Sequence, residues 1–242
     1  MTEVSSLTGR LLVATPALAD PNFDRAVVLL LDHDDEGTLG VVLNRPTPVG
    51  VGDILEPWAP LAGEPGVVFQ GGPVSLDAAL GLAVVPGDGP GGLDGPPGAP
   101  GPDGTGGAYR ADGSPDGGPD GSRSRTAGAG ESEEPDEPDE SEEPEGLLGW
   151  RRVYGAIGLV DLEAPPELLA AELGSLRIFA GYAGWGPGQL EDELAEGAWF
   201  VVDSEPGDVS SPRPETLWRD VLRRQRSELA MIATYPDDPS LN

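Results

Sequence analysis

Residues 9–46 read GRLLVATPALADPNFDRAVVLLLDHDDEGTLGVVLNRP. Three apolar runs lie in this stretch, at 11–14, 26–31 and 39–43. Each has strand length, is rich in Val and Leu, and is bounded by turn residues, so three strands with two connections are expected. Gly40 interrupts the third run and marks a close backbone approach. Pro16 and Pro21 exclude regular helix or central strand in the first connection. Asp20 and Asn22 flank Pro21, and both side chains can bond nearby backbone N–H groups, so an Asx-type turn is expected there. The alternative is a turn that presents Asn22 and Arg25 to a ligand. The second connection, Asp32-His33-Asp34-Asp35-Glu36-Gly37, sets the chain's one histidine among four carboxylates. It is about half the roughly twelve residues of a calcium loop. Zinc would have to draw every further ligand from carboxylates. A solvated hairpin turn ending at Gly37 is expected, with no metal. Asn44 and Arg45 then close the third strand before Pro46.

Working outward, 51–55 reads as a short helix or turn with Trp58 beneath it, and 67–70 as a strand. Gly71 and Gly72 follow that strand directly. They read as a tight turn, with a loop whose N–H groups approach an anion as the alternative. The phosphate-loop pattern is missing and the chain has no Lys, which excludes a nucleotide site of that kind. Ser75 is expected to cap a helix over 76–80, followed by a strand at 82–85. After the middle of the chain, 150–160 is strand-like with Gly interruptions. Pro165, Pro166 and Glu167 open a predicted helix with Leu168, Leu169, Ala171 and Leu173 on its apolar face, closed by Gly174. A strand at 176–180 leads into a strand-to-helix turn that begins at Gly181 and contains Trp185. The next helix opens at Gln189 with Leu190 and Leu194 inward. The carboxylates Glu191, Asp192 and Glu193 in its first turns oppose anion binding there. A strand at 198–202 and a helix at 214–225 complete the pattern. That helix turns Leu217, Trp218, Val221 and Leu222 inward and Arg219, Arg223 and Arg226 towards solvent.

Composition bounds the rest. The 242 residues carry a net charge of −29. Residues 87–146, mostly Gly, Pro, Asp, Glu and Ser, hold 16 acidic and 3 basic residues, a charge of −13 that leaves −16 for the remainder. That segment has too little apolar area to offset ordering entropy and reads as a disordered insertion. The other roughly 180 residues suffice for one well-buried domain. A body this acidic repels phosphate backbones, which argues against direct nucleic-acid binding. With no cysteine, disulfides and thiolate chemistry are excluded. MTEVSSLTGR lacks a basic region followed by an apolar run, so no signal peptide is expected. No apolar stretch nears the roughly 20 residues of a membrane span. A cytoplasmic protein is the expectation.

The chain resembles the YqgE/AlgH family of bacterial proteins. The matching residues are Leu11-Leu12-Val13-Ala14-Thr15-Pro16, Asp20-Pro21-Asn22-Phe23 with Arg25, Gly40-Val41-Val42, Asn44-Arg45-Pro46, Gly71-Gly72-Pro73-Val74, and the run from Gly181 to Glu193 with Ala198-Trp199. They cover both sides of the insertion, so 7–86 and 147–235 are expected to form one discontinuous domain. The resemblance implies an α/β protein with a mixed β-sheet flanked by helices, cytosolic, with no established catalytic activity or cofactor. One branch of the family carries a label as a transcriptional regulator of exopolysaccharide synthesis.

Three functions follow. The first is a non-enzymatic binding or regulatory module for a small molecule or a protein partner, in line with one His, no Cys, no Lys and no nucleophile–base pair identifiable from spacing. The second is an enzyme acting on a small anionic substrate through Asn22, Arg25, Asn44, Arg45, Gln189 and Glu191, with Glu191 as base and an arginine holding the anion. The third is a DNA-binding regulator using Arg219, Arg223 and Arg226. The candidate ligand-binding residues are Asn22, Arg25, Asn44, Arg45, Gly71, Gly72, Trp185, Gln189 and Glu191.

Overall fold

The computed structural model describes residues 6–85, 149–226 and 228–236. The expected insertion at 87–146 lies outside these. The described residues form a mixed sheet with a few short helices. Strand β1 (Arg10–Ala14) lies between β10 (Trp199–Asp203) and β2 (Val27–Asp34), antiparallel to both. A hairpin joins β2 to β3 (Gly37–Val42). Strand β4 (Pro46–Gly50) pairs with β5 (Val67–Gln70). Strand β6 (Val74–Val84) is followed by the hairpin of β7 (Trp150–Tyr154) and β8 (Ile157–Val160).

The sheet is joined through β9 (Ser175–Trp185). Its C-terminal end pairs with β3, from Thr38 opposite Trp185 to Gly40 opposite Ala183. Its earlier residues pair antiparallel with β6 on one edge and parallel with β5 on the other. The path from β10 through β1, β2, β3, β9, β6 and β8 to β7 curls back on itself. A Cβ built on Gly9, just before β1, would lie 2.3 Å from Cγ of Tyr154 at the end of β7.

The curl explains why the first strands read as unbroken apolar runs. Leu11, Val13, Val27, Leu29, Val41 and Leu43 face one core with Leu217, Trp218, Val221 and Leu222 of α4 (Leu217–Arg224). Leu12, Ala14, Val28, Leu30 and Val42 face a second core with Trp185, Trp199 and Leu190 of α2 (Gln189–Ala195). A strand covered on both faces needs no polar alternation. Each Leu or Val so buried stabilises the fold by about 1.5–3 kcal/mol. Helix α1 (Val51–Ile54) and buried Trp58 belong to a third cluster with Val68, Leu176 and Ile178. None of the helices among the described residues is long and apolar enough to cross a membrane.

Four expectations are corrected. The helix over 76–80 is absent: β6 spans Val74–Val84 with Ser75 at φ +49 and a register shift between Val74 and Ala79, after which Ala79 to Val84 find ladder partners on β9. The helix from Pro165 to Gly174 reduces to a single 3-10 turn at Pro166–Leu168. Leu169 is buried there but Leu168 is exposed, so no apolar face forms, and a short helix without packing is not stable. The turn beginning at Gly181 is instead strand, and β9 continues to Trp185 before turning at Gly186. Gly181 has φ +70, and a Cβ there would lie 2.6 Å from the Val74 carbonyl oxygen, so the glycine permits close strand approach. His33 does not lie in a solvated turn. A bulge between Leu30 and Asp32 shifts the register, turns Asp32 and Asp34 outward and buries His33. Helical flanking is modest: α1, α2, α4, α3 (Pro206–Val209) and α5 (Leu229–Ile232) are all short.

Candidate functional site

The segment between β1 and β2 is a chain of turns. The Asp20 carboxylate accepts the Asn22 N–H at 2.8 Å, and the Asp20 carbonyl accepts the Phe23 and Asp24 N–H groups. Phe23 then packs on Trp185 and Trp199, with ring centroids at 6.1 and 5.5 Å. Arg25 follows at φ +51, in the left-handed region. What holds it there is Asn44, buried at the end of β3. Its Oδ1 accepts the Val27 N–H at 2.9 Å, and its Nδ2 donates to the Arg25 carbonyl at 2.8 Å. Asn44 thus acts as a strap across the turn.

Three guanidinium groups gather around this strap. Arg45 donates to the Asp24 carbonyl and to the Asn44 carbonyl. Arg25 donates to the Pro236 carbonyl, and its guanidinium carbon lies 5.5 Å from the Trp218 ring centroid. Arg219 donates to the Tyr235 carbonyl at 3.1 Å and lies 5.9 Å from the same ring. The Trp218 ring is fixed by its indole N–H, which donates to the Ala14 carbonyl at 2.9 Å. Burial lowers the Arg45 pKa below its ordinary value, with nearby Asp24 opposing that shift. The two carbonyl bonds of Arg45 orient its guanidinium without cancelling its charge.

These residues wall a cleft of about 320 Å³ lined by Asp24, Arg25, Asn44, Arg45, Glu215, Trp218 and Arg219. A recess of about 60 Å³ adjoins it, lined by Pro21, Asn22, Val42, Arg45, Gln70 and Gly72. Arg45 is common to both. The fold therefore brings together Asn22, Arg25, Asn44, Arg45 and Gly72.

Trp185, Gln189 and Glu191 line neither space. Their surroundings are organised by Glu193. One carboxylate oxygen accepts the indole N–H groups of Trp185 at 3.0 Å and Trp199 at 2.8 Å, and the other accepts Gln189 Nε2 at 3.0 Å. Trp185 and Gln189 are thus engaged in holding α2 against β9 and β10. Glu191 Oε1 lies 3.6 Å from His33 Nε2, while His33 Nδ1 is 2.8 Å from Thr38 Oγ1. Gly71 is stitched into the sheet: its N–H donates to the Ala180 carbonyl and its carbonyl accepts the Val42 N–H, both at 2.8 Å. Its N–H is therefore not turned to an anion.

Sequence reasoning missed Asp24, Glu215, Trp218 and Arg219 as cleft walls, and Glu193 as the anchor of two indoles. Trp218 and Arg219 were legible as the inward and outward faces of one helix. Nothing in spacing could bring that helix to Arg25 and Arg45.

The AlgH-like family model (DUF179) matches residues 11–98 and 141–230. A UPF0301 protein of Streptomyces avermitilis is 69% identical over 242 residues, covering 100% of this chain and 98% of that protein. The crystal structure of a Corynebacterium diphtheriae protein is similar at a TM-score of 0.66 and 26% identity, over 94% of this chain and 92% of that one. The solution structure of the AlgH protein from Pseudomonas aeruginosa shares the fold at a TM-score of 0.53 and 21% identity, over 98% of each chain. The chain belongs to the AlgH-like family.

Proposed function

We propose that this protein is a non-enzymatic binding module whose cleft at Arg25, Arg45 and Arg219 holds a small ligand carrying an anionic group. One observation carries the reading: the Arg45 guanidinium, oriented by two backbone carbonyls, lines both the cleft and the recess in a chain whose net charge is −29, with Arg25 and Arg219 on the Trp218 ring of the same cleft. Oriented guanidinium groups recognise carboxylates and phosphates by charge-assisted hydrogen bonds. A regulatory role would follow from that binding. The cytoplasm is the proposed compartment, and fractionation of cells with an antibody to the chain checks it.

The enzymatic reading asks Gln189 and Glu191 to act beside Arg25 and Arg45, and Gln189 is already committed to Glu193. The DNA-binding reading asks Arg219, Arg223 and Arg226 to meet phosphates. Arg223 is paired with Asp220 at 3.3 Å, and the net charge opposes a polyanion. A salt-sensitive gel shift lost on replacing those three arginines would restore that reading.

The test is titration of the full chain with inorganic phosphate, followed by Trp fluorescence and calorimetry. Saturable binding is expected, weakened about tenfold or more in Arg45→Ala, as loss of a charge-assisted bond implies. Binding unchanged in Arg45→Ala, or turnover of a substrate abolished by Asn44→Ala, would overturn the proposal.

A further inference from the structure

The recess of about 60 Å³ beside the cleft is built from three separate segments. The turn after β1 supplies Pro21 and Asn22, the end of β3 supplies Val42 and Arg45, and the junction of β5 with β6 supplies Gln70 and Gly72. No acidic residue lines it, in a chain whose net charge is −29. The Arg45 guanidinium commits one N–H to the Asp24 carbonyl and one to the Asn44 carbonyl. A guanidinium has five N–H donors, and the other three of Arg45 make no hydrogen bond among the described residues. The side-chain amides of Asn22 and Gln70, both on exposed residues, make none there either. One fixed cation and two open amides therefore share a space with no opposing carboxylate.

Size narrows what enters. A water molecule's share of volume is about 30 Å³, so the recess holds roughly two water-sized positions. The two oxygens of a carboxylate match that, and the four of a phosphate do not. Arg45 favours a charged group over a neutral one of the same shape, and the amide N–H groups of Asn22 and Gln70 supply further donors. We infer that the recess is a carboxylate subsite: the anionic group of the ligand is a carboxylate held by Arg45, Asn22 and Gln70, and the rest of the molecule lies in the adjoining cleft. The inference rests on the anion-binding reading of that cleft and assigns the chemistry and the seat of its anion.

The experiment follows the side-chain amide signals of Asn22 and Gln70 and the Nε–H signal of Arg45 by NMR in the full chain. The probes are acetate, acetamide and inorganic phosphate. Acetate and acetamide share a shape and differ in charge, whereas phosphate carries more charge in a larger body. Acetate is expected to shift all three signals saturably and to bind about tenfold more tightly than either other probe. The greater charge of phosphate works against that ranking, so the ranking reports fit. The variant Asn22→Leu/Gln70→Met keeps the walls at nearly the same size and removes both amides. Its acetate affinity, read from Arg45, should fall about tenfold while phosphate binding stays unchanged. A misfolded variant would lose both. If phosphate or acetamide matches acetate, or if the double variant leaves acetate binding unchanged, the carboxylate inference is overturned, and the anion cleft stands on phosphate binding that Arg45→Ala weakens. If neither acetate nor phosphate binds, both readings fall.

Discussion

Replacing Asn44 with Ala would orphan two backbone groups at once, the Val27 N–H and the Arg25 carbonyl. An unsatisfied buried group costs about 1–3 kcal/mol, so a loss of about 2 kcal/mol is expected in urea unfolding. Asn44→Asp keeps the acceptor for Val27 but not the donor to Arg25, and should fall between Ala and wild type. From sequence, Asn44 and Arg45 were visible as the end of a strand and as ligand candidates. That one would strap a turn and the other would wall a cleft depends on what lies across from them. Arg177 is a second residue whose role only packing reveals. It is buried on β9 with its guanidinium carbon 4.4 Å from the Phe69 ring centroid, and it donates to the carbonyls of Glu64 and Ser211. Burial pulls its pKa below the ordinary arginine value to about 10, with Glu215 opposing. The folded pKa lies below the unfolded one, so the unfolded chain binds more protons as pH climbs through about 10. Stability contributed through Arg177 therefore rises above that pH. Measured against Arg177→Met, wild type should gain stability between pH 9 and 11.5; a constant difference would refute the assignment.

At the scale of elements, the strands of the first stretch, the strand at Val67–Gln70 and the helices at Gln189 and Leu217 were legible to within a few residues. Their apolar patterns match the surfaces they bury. The segments at 76–80 and 165–174 misled because each carries a helix-start signal and a few leucines, yet neither meets an apolar surface along a helical face. Strand β4 escaped notice because Pro46 and Pro48 argue against a strand, and it sits at the edge of the sheet where proline is tolerated. The junction of β5 with β6 depends on glycine for a measurable reason. A Cβ on Gly72 would lie 2.2 Å from the Tyr182 carbonyl carbon, and a Cβ on Gly66 would meet nothing within 4 Å. Gly72→Ala should destabilise by about 2–3 kcal/mol through overpacking. Gly66→Ala should stay within about 0.5 kcal/mol of wild type, as for other open surface positions. Equal effects of the two in thermal unfolding would show that the close approach at Gly72 is not what matters.

For the whole molecule, segments on both sides of 87–146 interleave in one sheet: β9 from the second pairs with β3, β5 and β6 from the first. Replacing 88–145 with a short Gly/Ser linker should leave one cooperative transition, and two separate transitions by calorimetry would show that the halves fold apart. The charge of −29 sets a second expectation. Salt screens self-repulsion, so Tm should rise by several degrees from about 10 mM to 0.5 M sodium chloride. A flat response would mean that the acidic residues are too dispersed to repel one another. Composition, apolar runs and the residues shared with the AlgH-like family determined by themselves that this chain builds a mixed sheet with helices, because burial of a patterned strand or helix is a local demand written along the chain. Only the tertiary structure decided that Arg25, Arg45, Trp218, Arg219, Asp24 and Glu215 share one cleft while Gln189 and Glu191 stand apart from it. It also decided that His33 is buried. Those outcomes depend on register, on the curl of the sheet and on which helix covers which face. Such long-range contacts are set by the packing of the whole core and leave no trace in local spacing.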